Sequence, residues 1–159
     1  MAKKDKKEKK RAIEIVNRKA KFEYQFQGEL EAGIVLTGTE IKSIRLGEAN
    51  LKEAYCLFIR GELFIKNMYI SEYKYGTYNN HEPRRERKLL IKKAEIKKLE
   101  RKVKEKGATI VPYKMYISER GYAKLIIALA TGKRQYDKRN TIKDRDNKRE
   151  LDRIKKMNN

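Results

Sequence analysis

Glu31 and Glu40, Cys56, His81 and the run GKRQYDKR from Gly132 to Arg139 are the residues whose types and spacing could do chemistry in this chain. Acids gathered for a metal would mark a hydrolytic site, but here they are scattered among bases, and no glycine-rich loop of the Walker type cradles a phosphate. Cys56 lies inside an apolar strand pattern, where a thiol is inert packing rather than a nucleophile. His81 stands in a polar stretch with no acid or Cys at ligand spacing, so it reads as a solvated loop histidine. A binding reading uses the carboxylates differently, because a carboxylate can accept from a base amine or a ribose 2′-hydroxyl. Against that, pattern alone favours Glu31 facing solvent or pairing with an Arg.

The run GKRQYDKR carries the sharper signal. Tyr136 has no apolar neighbours to join, whereas an aromatic among cations can stack on a nucleobase while Lys133, Arg134, Lys138 and Arg139 hold the flanking phosphates. The whole chain agrees with this, since 42 Lys and Arg against 22 Asp and Glu leave a net charge of +20. Residues 1–11 hold +5 of it, residues 12–131 hold +9 and residues 132–159 hold +6. A polyanion is the expected partner, and the body is basic as well as the ends. Anionic lipid is the weaker alternative, because no helical pattern presents a broad apolar face. Tyr24, Tyr55, Tyr113, Tyr116 and Tyr122 fall in strand patterns, where tyrosine is favoured for packing.

These residues need elements to position them. Leu30, Ala32, Ile34 and Leu36 alternate with Glu29, Glu31, Gly33 and Val35, which predicts a strand within 22–36 with one buried face. Thr37 or Thr39 can cap a short helix through Ile41 and Ile44 that Gly47 closes. Residues 54–59 and 62–67 form a hairpin about Arg60-Gly61, and 71–87 is a long loop that is either mobile or functional. Ile96, Leu99 and Val103 mark a helix stopped by Gly107, with Glu100 four residues before Lys104. Strands at about 109–117 and 122–130 follow, the first bulged or at an edge because Pro112 cannot donate to a ladder. The sum is a compact, mainly β domain over 12–131 with the proportions of a small barrel, between basic arms at 1–11 and 132–159. The single Cys excludes an internal disulfide, no apolar run approaches the roughly 20 residues that span a bilayer, and no secretory signal is read at the N-terminus. The protein is therefore expected in the cytoplasm.

In the last segment Ile142, Leu151, Ile154 and Met157 are the only apolar residues of note. Asp144 with Lys148 and Asp152 with Lys156 could pair along a helix, but so thin a stripe leaves isolated helix marginal in water. The tail is expected to be disordered when free and helical when RNA surrounds it.

Asn17-Arg18-Lys19-Ala20, EAGIVLTGTE at 31–40 continuing to Lys42-Ser43, GEANL at 47–51, Pro83 with Arg87-Lys88-Leu89-Leu90, and GKRQYDKR follow one another in order from about Asn17 to Arg153. Together they resemble the small protein B family, the SsrA-binding proteins of bacterial trans-translation. The resemblance implies an oligonucleotide-binding-type β-barrel with flanking short helices and a C-terminal tail. It implies a monomeric, non-enzymatic adaptor without cofactor that binds the tRNA-like domain of transfer-messenger RNA and delivers it to the A site of stalled ribosomes. The RNA-binding surface would fall on Asn17, Glu31 and Leu90, with Arg87 and Lys88 as nearby phosphate contacts. Small-subunit ribosomal RNA at the decoding centre and the empty message channel would meet Gly132, Lys133, Arg134, Tyr136, Asp137, Lys138, Arg139 and, further along the tail, Ile154. Two departures stand out: GKR replaces the usual GKK, exchanging a compact donor for a planar fork, and Lys92 occupies a position that is often His or Asn. A ribosomal protein with a basic extension and an RNA-processing enzyme relying on Glu31 and Glu40 are the competing readings.

Overall fold

The computed structural model describes residues 13–157, so the basic arm expected at 1–11 lies outside the described residues. Nine strands and four helices follow in the order β1 (Glu14–Val16), α1 (Arg18–Glu23), β2 (Tyr24–Ile34), α2 (Gly38–Arg45), β3 (Ala49–Asn50), β4 (Tyr55–Ile59), β5 (Glu62–Lys66), β6 (Tyr69–Ile70), β7 (Arg87–Leu90), α3 (Lys93–Lys106), β8 (Thr109–Ile117), β9 (Ala123–Gly132) and α4 (Gln135–Met157). The mainly β reading with flanking helices holds. None of these helices is long and apolar enough to cross a membrane.

All pairings are antiparallel, and they return on themselves: β8 pairs β4, β4 pairs β5, β5 pairs β7, β7 pairs β2, β2 pairs β9, and β9 pairs β8 again. β1 joins β8 beside β4, and β3 with β6 makes a separate two-residue ladder. Inward positions come from alternate residues of the ring, so Ala32, Ile34, Leu63, Ile65, Leu89, Ile110, Met115, Leu125 and Ile127 fill one core. Ile44 of α2 and Ile96 of α3 are buried, while Lys42 and Arg45 of α2 and most of the charged side chains of α3 stay outside.

The local signals act where the sequence places them. Arg60 (φ 51°) and Gly61 (φ 75°) both adopt left-handed backbone, as the tight turn between β4 and β5 requires. Glu40 accepts from the Thr37 amide at the start of α2, and the Glu100–Lys104 pair forms at 3.1 Å on α3. The β8–β9 register shifts between Pro112 and Lys114, the bulge expected of a proline that cannot donate. Residues 22 and 23 differ from expectation: they end α1 instead of opening the long strand, because Asn17 caps that helix by accepting from the Ala20 amide.

A buried polar network joins α2 to the segment before β7. Arg87 is fully buried and donates from Nε to Glu40 (2.8 Å), from Nη1 to the carbonyls of Met68 and Arg85, and from Nη2 to that of Pro83. Arg85 adds bonds of 2.7 and 2.6 Å to the same carboxylate. His81, expected in solvent, is buried because its loop folds back onto the body, where its ring nitrogens meet Thr39 Oγ1 (2.9 Å) and the Ile70 carbonyl (3.2 Å). Within the loop Asn80 bonds both the amide and the carbonyl of Tyr73, at 2.9 and 2.7 Å.

Burial alone would raise the pKa of Glu40, but bonds from Arg85, the Thr37 amide and Arg87 outweigh it and hold the carboxylate below its ordinary 4.5. A depressed folded value stabilises the fold above the unfolded pKa, and that stability disappears as pH falls through the folded one. Glu40→Gln, which leaves two guanidinium groups facing a neutral amide, should cost about 3 kcal/mol in urea unfolding at neutral pH. The difference from the parent should shrink steadily below pH 4.5.

Candidate nucleic-acid interface

Strand alternation sends Ala32, Ile34 and Leu89 inward and so turns Glu31, Gly33, Lys88 and Leu90 to the outer face. Gly33 is opposite Leu90 on β7 and Lys124 on β9, while Tyr116 on β8 is opposite Lys124. The three pairs lay Leu90, Gly33, Lys124 and Tyr116 across neighbouring strands. Glycine is what allows that layout, since a Cβ at position 33 would stand 3.1 Å from the Leu90 Cβ. Leu90 is 54% exposed, an apolar side chain held in solvent between cations.

Glu31 is the acid within this face. Its Oε2 accepts from the Tyr116 hydroxyl at 2.5 Å and its Oε1 meets Lys124 Nζ at 3.2 Å. The tyrosine bond, with the Lys124 bond and charge, lowers its pKa against a small opposing burial effect. The same bond raises the pKa of Tyr116, keeping its phenol a donor. The ionised carboxylate keeps acceptor sites that these two partners do not fill. Lys88 reaches the rim through its bond to Glu62 at 2.5 Å.

The structure puts Glu31, Leu90 and Lys88 on one outer face, Leu90 diagonal to Glu31 and Lys88 further along beside Val35, and buries Asn17 and Arg87. Asn17 is buried: its Nδ2 donates to the carbonyls of Leu51 (2.8 Å) and Pro112 (3.1 Å) while its Oδ1 caps α1. Every polar atom of this side chain is engaged inside the fold, the geometry of a residue that positions α1. Arg87 is likewise buried, and its charge is paired with Glu40 within the protein. Glu40, its partner, is equally withdrawn, so the two carboxylates never form one site. Cys56 is an internal thiol whose pKa burial pushes far up.

Tyr116 and Lys124 are the functional candidates that sequence reasoning missed. Tyr116 was legible only as a sheet tyrosine, yet the Glu119-Arg120-Gly121 turn pairs Tyr116 with Lys124 across one hairpin, a register the turn position could have suggested.

The basic run lies elsewhere. Gly132 ends β9 opposite Tyr24, and Lys133 stays tied to the body, its amide to the Glu23 carbonyl (2.9 Å) and its Nζ to that of Lys21 (3.2 Å). From Gln135 the chain is helical, with Arg134, Asp137 and Arg139 exposed and Lys138 half-buried. Tyr136 is 71% exposed and Ile154 half-exposed, and α4 contains no buried residue. Of the pairs expected along it, neither Asp144–Lys148 nor Asp152–Lys156 closes, while Asp146 approaches Arg149 at 3.8 Å.

Comparison with known proteins agrees across nearly the whole length. The family model described as SmpB protein matches residues 14–157. An SsrA-binding protein of Phocaeicola vulgatus is 58% identical over 142 residues, covering 89% of this chain and 95% of the relative. One from Flavobacterium psychrophilum is 56% identical, covering 92% and 97%. In the solved structure named "tmRNA-SmpB: a journey to the center of the bacterial ribosome", a chain 44% identical to this one superposes with a TM-score of 0.66, over 82% of this chain and 95% of its own. A match that starts in β1 and ends at the close of α4, with relatives sharing more than half their residues, places this chain in the SmpB protein family.

Proposed function

We propose that this protein is the RNA-binding adaptor of trans-translation: its body holds transfer-messenger RNA and its tail enters the vacant message channel of a stalled ribosome. The observation that carries the reading is the outer face of β2, where a carboxylate held ionised by Tyr116 and Lys124 stands beside an exposed leucine on a strongly basic body. Phosphate attraction alone needs no acid. A fixed acceptor beside an apolar contact suits the base edges and 2′-hydroxyls of a folded RNA. We read the chemistry as binding and not catalysis, because Glu31 is committed to a phenol and an ammonium.

The ring of strand pairings supports an oligonucleotide-binding-type barrel as the body over 12–131, acting as a monomer in the cytoplasm. Glu31, Leu90 and Lys88 contact the RNA directly, and Asn17 and Arg87 act by positioning α1 and β7. In the tail, Gly132 and Lys133 form the hinge to the body, while Arg134, Tyr136, Asp137, Lys138 and Arg139 face ribosomal RNA at the decoding centre. Ile154 lies deeper in the channel. With no buried residue to hold it, α4 is marginal in free solution and becomes fully helical on the ribosome. The competing reading of a constitutive ribosomal protein has no counterpart to the specific outer face.

A salt series with transfer-messenger RNA and an ordinary tRNA tests the reading, since a preference that survives high salt reports recognition of fold and not of phosphates. Glu31→Ala or Leu90→Asp should weaken transfer-messenger RNA binding by about tenfold, the value of a charged hydrogen bond. Removing residues from 134 onward should leave binding nearly intact and abolish peptide tagging; equal losses of affinity in both kinds of variant would refute this division. Tyr116→Phe should raise the Glu31 pKa toward its ordinary 4.5 in a carbon-13 NMR titration and reduce RNA affinity in parallel. Amides of 142–157 should exchange almost unprotected in the free protein and become protected on a stalled ribosome.

A further inference from the structure

A second charged feature, which shares no residue with the Glu31 face, lies where α4 passes α1. There a groove of about 710 Å³ is lined by Arg18, Lys19, Lys21, Lys133, Arg145 and Arg149, with Phe22 and Tyr113 at its walls and no carboxylate in its lining. Lys19 pairs with Glu23 and Arg149 with Asp146, each at 3.8 Å and in solvent, which is close to negligible screening of the cluster. Arg18, Lys21, Lys133 and Arg145 have no carboxylate within ion-pair distance among the described residues.

Mutual repulsion would scatter such a cluster if nothing held it. Here several members are oriented by the fold: Arg145 lies over the Phe22 ring at 5.7 Å, Lys21 over the Tyr113 ring at 6.0 Å, and Lys133 is bonded to the Lys21 carbonyl. Tyr113 is braced edge-on by Phe26 at 5.2 Å, and α1 is fixed to the sheet through Ala20, packed with Val111, Ala128 and Ala130. Lys21 and Lys133 are therefore held on the body beside a concavity that lacks its counter-charge, and Arg145 and Arg149 complete it when α4 docks on α1.

We propose that this groove is a binding site for the phosphodiester backbone of single-stranded RNA, assembled only while α4 lies against α1. Single-stranded backbone fits better than a membrane surface because the cations line a concave channel, whereas a bilayer presents a plane. One wall belongs to the body and the other to α4. Occupancy of the groove and departure of the helix therefore exclude each other, so strand binding holds the tail against the body.

The test uses the full chain and a fluorescent oligouridylate of about ten nucleotides. Each phosphate neutralised contributes about −0.7 to the slope of log affinity against log salt for a single strand. The variant Arg18→Gln, Lys21→Gln, Arg145→Gln, Arg149→Gln should reduce that slope by about 2 to 3 and weaken binding at low salt at least about tenfold. The control removes four cations from α3 instead, Lys97→Gln, Lys98→Gln, Arg101→Gln and Lys102→Gln, which line a shallow surface on that helix. It should retain most of the slope, and circular dichroism should find both variants folded. Equal losses in the two variants would mean undirected charge and overturn the site, as would an unchanged groove variant. Binding to phosphatidylserine vesicles in place of the oligonucleotide would overturn it too. Because the probe is not transfer-messenger RNA, any of these failures leaves the trans-translation reading standing.

Discussion

Everything on the outer face depends on where the guanidinium of Arg87 goes. An ion of that size transferred from water into a protein interior loses several kcal/mol unless charge and hydrogen bonds replace its hydration. Glu40 supplies the charge, and three backbone carbonyls supply the rest, that of Met68 just after β5 and those of Pro83 and Arg85 just ahead of β7. Satisfying Arg87 thus fixes α2, the loop ahead of β7 and the end of β5 relative to one another in a single act. β7 then enters the sheet with Leu89 inward and Leu90 outward, opposite Gly33. A slip of one residue would bury Leu90 and remove the apolar half of the proposed RNA face.

Charge is divided by the same logic. Arg87 and Arg85 converge on the one carboxylate of Glu40, which offsets one of their two charges and withdraws Arg87 from the surface, while Arg85 stays partly exposed. Among the described residues, the cations left to act on a polyanion are those on α1, α3, the outer strands and α4, where water screens them and salt weakens them. Affinity from that layer is strong but unselective. Selectivity must come from groups whose position the fold determines, and Glu31 is the clearest of these because two partners hold it.

Local periodicity made much of the body legible. Leu30, Ala32 and Ile34 announced β2, Arg60-Gly61 the first hairpin, Ile96, Leu99 and Val103 the helix α3, and Pro112 the bulge, since each signal acts over a few residues. The buried polar residues were illegible for the opposite reason. Asn17 is satisfied by carbonyls 34 and 95 residues away, His81 by a hydroxyl 42 residues away and Arg87 by a carboxylate 47 residues away. Composition marks such residues as surface polar groups until the topology brings partners to them. In the tail, Ile142, Leu151 and Ile154 stay exposed along α4, so its helix rests on local preferences and not on tertiary partners.

An acid at the centre of the proposed RNA face needs a reason to persist there, and its neighbours supply one. Without Glu31, Tyr116 and Lys124 would remain as a donor and a cation able to take a phosphate in many orientations. Glu31 engages both, which lowers the indiscriminate attraction of the face and leaves acceptor positions aimed outward. On the proposed reading that arrangement would repel a phosphate and accept a base amine or ribose hydroxyl only where the RNA fold presents one. The carboxylate would then trade affinity for discrimination, which a chain with +20 of net charge needs more than it needs further attraction.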